Sequence, residues 1–382
     1  MNRREAIHRL ASTALLPFFN FGHFQLFADP ASRYSTRCID LVRSSLVVDM
    51  LSQFKLGAFP DVVPDPNPAT AHWWSHPETF TPEDLARYRE SSINVFQIGW
   101  GTGQGDAYEG ALKVMKAWKN FVDFHHKDFL LVSGTADLAR LKPENKVGIL
   151  LGFQDSDHFR TAEDVFFFYR LGQLVSQLTY NVQNQIGSGY TVHDTGLTPY
   201  GHDVVAAMNK AGMAIDLSHC GPRTTWDACS ASKRPVLFTH ADCKALCSHT
   251  RNKSDAFIKK MAATGGVMGI SSVRMFVRDQ EPVTIENVLD HFDHVARLVG
   301  VEHVGVGSDI DLNGYDALPP SLRAKMLLGH RGRSIRGDID GLNHPQRMFD
   351  LTEGLIRRGY SDDQIRMILG GNFARVLKQI ES

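Results

Sequence analysis

From Ser45 onward, short apolar runs rich in β-branched and aromatic residues alternate with longer mixed stretches. Eight runs stand out: Leu46–Met50, Ile93–Trp100, Val147–Gln154, Leu174–Asn181, Met213–His219, Pro235–His240, Gly266–Ser271 and His303–Asp309. They show little polar–apolar alternation, as expected of parallel strands buried on both faces. The intervals leave room for crossover helices, and the spacing predicts Pro82–Ser91, Leu112–Phe124, Ala162–Leu171 and Pro199–Lys210 among them. Eight βα units predict a (β/α)8 TIM barrel, a single α/β domain over residues 40–382. Residues 313–345 read as a polar, Arg- and Gly-rich insertion after the last strand, and Ser361–Ile380 as closing helices with Ser361 as a cap. A doubly wound sheet is the competing architecture, but it wants a Gly-rich phosphate loop after its first strand, and none is present.

Polar residues gather where these runs end: Asp49 and Gln53, Gln154 with Asp155, Tyr180 with Asn181, His219, His240, and Asp309 with Asp311. In a barrel those ends share the C-terminal rim, where barrel enzymes place their chemistry. His219 and His240 put two imidazoles at the tips of neighbouring strands, a donor set suited to zinc and similar divalent ions, with Asp309 as a third ligand or a proton carrier. One histidine among 17 is more often structural than a ligand, whereas two at matched strand ends favour function. Arg251, in the polar loop Ser248–Asp255, either clamps a carboxylate bidentately or sits on the surface beside a helix cap. Ser218 and Ser308 have no adjacent base and no Gly-x-Ser-x-Gly elbow, which argues against nucleophilic catalysis. Trp73-Trp74 and the stretch Pro60–Pro68 form either an aromatic wall over the rim or ordinary loop packing.

Composition narrows the partners. At 43% hydrophobic and 22% charged residues, the 382-residue chain suits a packed globule. The balance of 41 Lys+Arg against 42 Asp+Glu supplies no basic field for nucleic acid, and no run of 18 apolar residues spans a membrane. The five cysteines, Cys38, Cys220, Cys229, Cys243 and Cys247, are too few for a disulfide scaffold and odd in number, and Cys220, Cys243 and Cys247 read as small buried residues before soft metal ligands or a disulfide near the rim. The basic start with Arg3-Arg4, the apolar stretch Leu10 to Phe21 and Ala28-Asp29-Pro30 predict a twin-arginine-type export signal over residues 1–30, hence a periplasmic or secreted bacterial protein. Glu5-Ala6-Ile7 departs from the bulky apolar residues that usually follow the arginines, and an amphipathic helix is the alternative.

After about residue 40 the chain resembles the membrane dipeptidases, or renal dipeptidases, peptidase family M19, which are zinc-dependent (β/α)8 hydrolases. The resemblance is carried by Gly196-Leu197-Thr198-Pro199-Tyr200-Gly201, Asp216 to His219, Pro235 to His240, His249 to Asp255 and Gly265-Gly266-Val267. Val304 to Asp311 and Gly370-Gly371-Asn372 complete it. It implies that His219 and His240 bind the second zinc, that Arg251 holds the substrate's terminal carboxylate and that Asp309 handles the proton of the attacking water. The family's first-strand motif, Asp-Gly-His-x-Asp, appears here as Asp49-Met50-Leu51-Ser52-Gln53, without its two metal ligands. Gln154 stands where a glutamate bridges the two metals, and Tyr180 replaces a substrate-binding histidine.

Leu51 has no donor atom, and Gln53 and Gln154 offer only neutral carbonyl oxygens, so a two-metal site is not expected. Asp155 and Asp157 are close enough in sequence to substitute, though from a loop. The expectation is a hydrolase of a dipeptide or similar small amide with a free carboxylate, using at most one zinc or other divalent ion, or none. Two alternatives stay open: a pseudoenzyme or binding protein that keeps the pocket without turnover, and an isomerase or lyase built on the remaining His–His–Asp set. A homodimer is left open.

Overall fold

The computed structural model describes residues 33–55, 73, 75–101, 105–316, 318, 320 and 336–382. The expected export segment, the stretch Pro60–Pro68, Trp74 and the middle of the 313–345 insertion lie outside the described residues.

Nine strands among the described residues form one parallel sheet: β1 (Val48–Ser52), β2 (Val95–Trp100), β3 (Phe129–Leu131), β4 (Val147–Phe153), β5 (Gln173–Gln177), β6 (Ala214–Asp216), β7 (Val236–Ala241), β8 (Val267–Ile270) and β9 (Val304–Val306). Their order is β1-β2-β4-β5-β6-β7-β8-β9, with β3 paired to the start of β4. The sheet returns on itself where the Asp309 N–H donates to Leu51 O (2.9 Å) and the Gln53 N–H to Ile310 O (3.3 Å), beside a parallel bridge between Phe54 and Asp311. The result is the (β/α)8 barrel, with every predicted run supplying one stave. Strand β3 is the addition; three residues are too few to display a period. Several runs also stop pairing early, so Tyr180, Asn181 and His219 stand on loops just beyond their strands.

The crossover helices follow from local signals. Pro82–Glu90, Pro199–Ala211 and Pro222–Ala231 each open on a proline, whose fixed φ and missing N–H suit the first turn. Thr81 and Thr198 cap the first two by accepting backbone N–H bonds. Ser361 caps as expected, in a capping box with Gln364.

Two apolar layers hold the barrel. The larger packs strands against the surrounding helices. The smaller gathers the first residues of several strands, Val48, Val95, Ala214 and Val267, against Phe373, Val376, Leu377 and Ile380 of the helix Asn372–Glu381. That helix covers the end where strands begin and leaves the opposite rim to polar groups. Asn372 fastens it by donating from Nδ2 to Val301 O (2.7 Å) and Val304 O (2.8 Å), which gives the Gly370-Gly371-Asn372 motif a structural reason. Trp73 is buried and packs edge-on against Phe54 and Phe80, so it belongs to the core rather than to a wall over the rim.

Candidate active site

The rim brings His219 and His240 into direct contact, with Nε2 to Nε2 at 3.0 Å. Each ring is oriented through its other nitrogen. His219 Nδ1 meets Asn181 Oδ1 at 2.7 Å, and His240 Nδ1 meets Thr239 Oγ1 at 2.8 Å. The Thr239 hydroxyl donates to Asp216 Oδ2 (2.7 Å), so its oxygen is left to accept from His240. Both neutral rings therefore carry their proton on Nδ1 and turn their Nε2 lone pairs toward each other. Two lone pairs at that separation repel unless a proton or a cation lies between them. Burial, then the neighbouring Arg251 charge, holds both imidazoles well below the usual histidine range, which keeps the proton off and the donors free.

Arg251 is fully buried, and Nη2 donates to His240 O at 2.6 Å, while Nε and Nη1 have no hydrogen-bond partner. A buried guanidinium with two unanswered donors is costly unless a ligand supplies acceptors. Two residues on, Lys253 is buried as well, its Nζ donating to Leu217 O (2.9 Å) and Cys220 O (3.2 Å), the carbonyls that flank Ser218 and His219. Burial and the Arg251 charge push its amine down to about 7. One loop thus supports both histidine-bearing turns.

Asp309 sits across from these groups. Gln53 Nε2 donates to its Oδ1 at 3.0 Å, and burial pushes its carboxyl up to about 7 against the opposing pull of Arg251 and the Gln53 bond. Tyr180 stacks on His219, ring centroids 4.3 Å apart, and stays 40% exposed, so its ring covers the imidazole at the mouth of the site. Among the described residues, no three His, Cys, Asp or Glu side chains are gathered closely enough to hold an ion together. The donor set for a metal is thus the histidine pair, whose converging lone pairs fit one ion. Further ligands would come from water or substrate.

The positions expected to have lost a metal are filled in a manner that does not fit one. Leu51 is buried against Gly99, where an added Cβ would stand 2.3 Å from Leu51 Cδ1. Gln154 Nε2 donates to Gly99 O at 2.6 Å, and the Gln53 amide is engaged with Asp309. Asp155 does not replace them: its Oδ1 accepts from Asn184 Nδ2 (2.8 Å) and the Asp157 N–H (3.2 Å). Ser218 and Ser308 donate to Asp216 and Asp49, and neither faces a base. All five cysteines are buried and free, and burial raises each thiol above its ordinary range, which keeps it protonated. Lys253 and the supporting Asp216–Thr239 pair went unread in the sequence. A lysine in a polar loop carries no sign of burial, and Asp216 looked like part of a strand.

The profile of the family described as Membrane dipeptidase (Peptidase family M19) matches residues 71–324 and 328–382. The dipeptidase tcpJ of Claviceps purpurea (strain 20.1) is 28% identical over 275 residues, covering 70% of this chain and 58% of that protein. The dipeptidase verJ of Clonostachys rogersoniana is 29% identical over 279 residues, 70% of this chain and 66% of its own. The chain thus spans less than two thirds of these curated relatives. Among solved structures, an amidohydrolase from Pseudomonas aeruginosa superposes with a TM-score of 0.76 at 25% identity, covering 90% of this chain and 98% of the other.

Proposed function

Because the chain belongs to the membrane dipeptidase family, peptidase family M19, we propose that it hydrolyses a dipeptide or similar small amide with a free carboxylate, using one divalent ion, zinc by preference, held by His219 and His240. The observation that carries this reading is the buried Arg251 fork with two unanswered donors, set beside the converging imidazole pair. A divalent ion there would supply a Lewis acid for the scissile carbonyl.

The chain's own residues do the rest. Arg251 offers an unanswered donor, Nε or Nη1 on separate edges of the guanidinium, to the substrate carboxylate, a charge-assisted contact that fixes the peptide's direction. Asp309 has Oδ1 engaged with Gln53, so Oδ2 takes the proton of the attacking water and returns it to the leaving amine. Tyr180 shields His219 from bulk water and presents its ring to the bound peptide. Residues 1–30 act as a twin-arginine-type signal, delivering the folded protein to the periplasm; no described helix is long and apolar enough to cross a membrane.

Elemental analysis of the purified protein, paired with release of alanine from alanyl-alanine with and without added zinc, tests the reading. One ion per chain and zinc-dependent turnover, both lost in His219→Ala, are expected. An ion bound without turnover of any dipeptide in a broad panel would overturn it in favour of a binding protein.

A further inference from the structure

We infer that Tyr315 is a positioning residue for Asp309, holding the backbone from which the reacting carboxyl is presented; the inference rests on the role proposed for Asp309. Asp309 has φ +57°, a left-handed conformation that few non-glycine residues adopt without support. Three contacts supply that support. The Asp309 N–H donates to Leu51 O at 2.9 Å, Gln53 Nε2 donates to Oδ1 at 3.0 Å, and the Tyr315 hydroxyl donates to the Asp309 carbonyl. The first two come from β1 and the residue after it. The third comes from six residues downstream, closing the turn after β9 on itself.

Tyr315 is itself anchored from a distance. Its ring is buried, and its N–H donates to Asp338 Oδ1 at 2.7 Å, while the Asp316 N–H donates to Oδ2 of the same carboxylate at 2.7 Å. Asp338 is buried too, and Arg274 Nη1 donates to its carbonyl at 2.9 Å. Arg274 is held in turn by an ion pair with Glu281. At Gly314, φ is +79° and a Cβ would lie 2.3 Å from Asp338 Oδ2, so the turn needs glycine to bring the carboxylate this close. A chain of buried polar contacts therefore runs from Arg274 of the short helix Arg274–Val277 after β8, through Asp338 and Tyr315, to the Asp309 backbone. Without the hydroxyl, Asp309 is released toward a commoner backbone conformation, and its carboxyl leaves the orientation that Gln53 shares.

The test is Tyr315→Phe in the full chain, read by alanyl-alanine kinetics with zinc and by amide hydrogen exchange. The expected result is kcat reduced roughly ten-fold or more with KM within about two-fold, and faster exchange confined to residues 307–312. Asp338→Asn, which disturbs Tyr315 without touching Asp309, should give the same pattern more weakly. Tyr34→Phe is the control: it removes a phenol that donates to Asp350 Oδ2 at 2.7 Å, away from the rim, and should lower thermal stability with kcat unchanged. Unchanged kcat in Tyr315→Phe, or a loss of thermal stability alone, would overturn the inference. If the native protein hydrolyses no dipeptide, the reading of the site fails separately. Exchange at Asp309 then decides for the strut, and unaltered protection would overturn it.

Discussion

Asp309 is an acid in a place that opposes its ionisation: burial pushes its carboxyl up to about 7, above the roughly 3.9 of an unfolded aspartate. A raised folded value means that its contribution to stability is full below about pH 4 and is lost as pH rises through about 7. Asp309→Asn removes that loss. In chelator-treated protein the variant should gain thermal stability relative to native at pH 8 and gain about a third as much at pH 5, as measured by calorimetry; equal differences at both values would mean that the carboxyl titrates normally. The same substitution should lower turnover by about 10²–10⁴-fold, the usual worth of a general acid/base, while leaving bound ion in place. Arg251→Lys separates charge from shape. Lysine keeps the cation but has no planar fork, so KM for dipeptides with a free carboxylate should rise on the order of ten-fold with a smaller change in kcat. Unchanged KM would place the substrate carboxylate elsewhere.

At the scale of elements, Leu51, at a position where the resemblance implies a metal ligand, makes a packing contact between neighbouring strands. Leu51 of β1 lies against Gly99 of β2, with no room for a side chain there. Gly99→Ala should therefore destabilise by about 1–3 kcal/mol, the cost of overpacking, and Leu51→Ala should recover part of that loss in the double variant. Additive losses in urea unfolding would show that the two side chains do not meet. A second tie joins β1 to the helix Arg347–Arg357: Asp49 and Arg347 form a fully buried ion pair at 2.9 Å, with Ser308 donating to the same carboxylate. Arg347→Met strands the Asp49 charge and should cost about 3–5 kcal/mol. A loss well under that, again in urea, would mean that water reaches Asp49 once its partner is gone.

For the whole molecule, the charge around the rim limits how many ions it accepts. Arg251 is a fixed cation, Lys253 beside it is charged in part with its amine pushed down to about 7, and Leu51, Gln53 and Gln154 offer no anion. Native protein should bind at most one divalent ion per chain. Leu51→His, Gln53→Asp and Gln154→Glu together should raise the count to two, counted by elemental analysis, provided Gly99 leaves space for the new imidazole. Two ions on the native chain would show that other groups rebuild the site.

Strand periodicity and turn chemistry are local properties, so the sequence alone determined the eight staves, their parallel sense, the Ser361 cap and the placing of His219, His240 and Asp309 at or just past strand ends. Each follows from residue type and spacing within a short window. The lack of an anionic or imidazole donor at Leu51, Gln53 and Gln154 was legible for the same reason, since donor chemistry belongs to the side chain itself. Only the tertiary structure decided what those residues do instead. The packing of Leu51 on Gly99, the bond from Gln53 to Asp309, the burial of Lys253 under His219 and the reach of Tyr315 to the Asp309 carbonyl depend on contacts between segments far apart in sequence. Whether a polar group meets water or another polar group is fixed by the assembled barrel, because desolvation and hydrogen bonding act through distances in space that no spacing along the chain encodes.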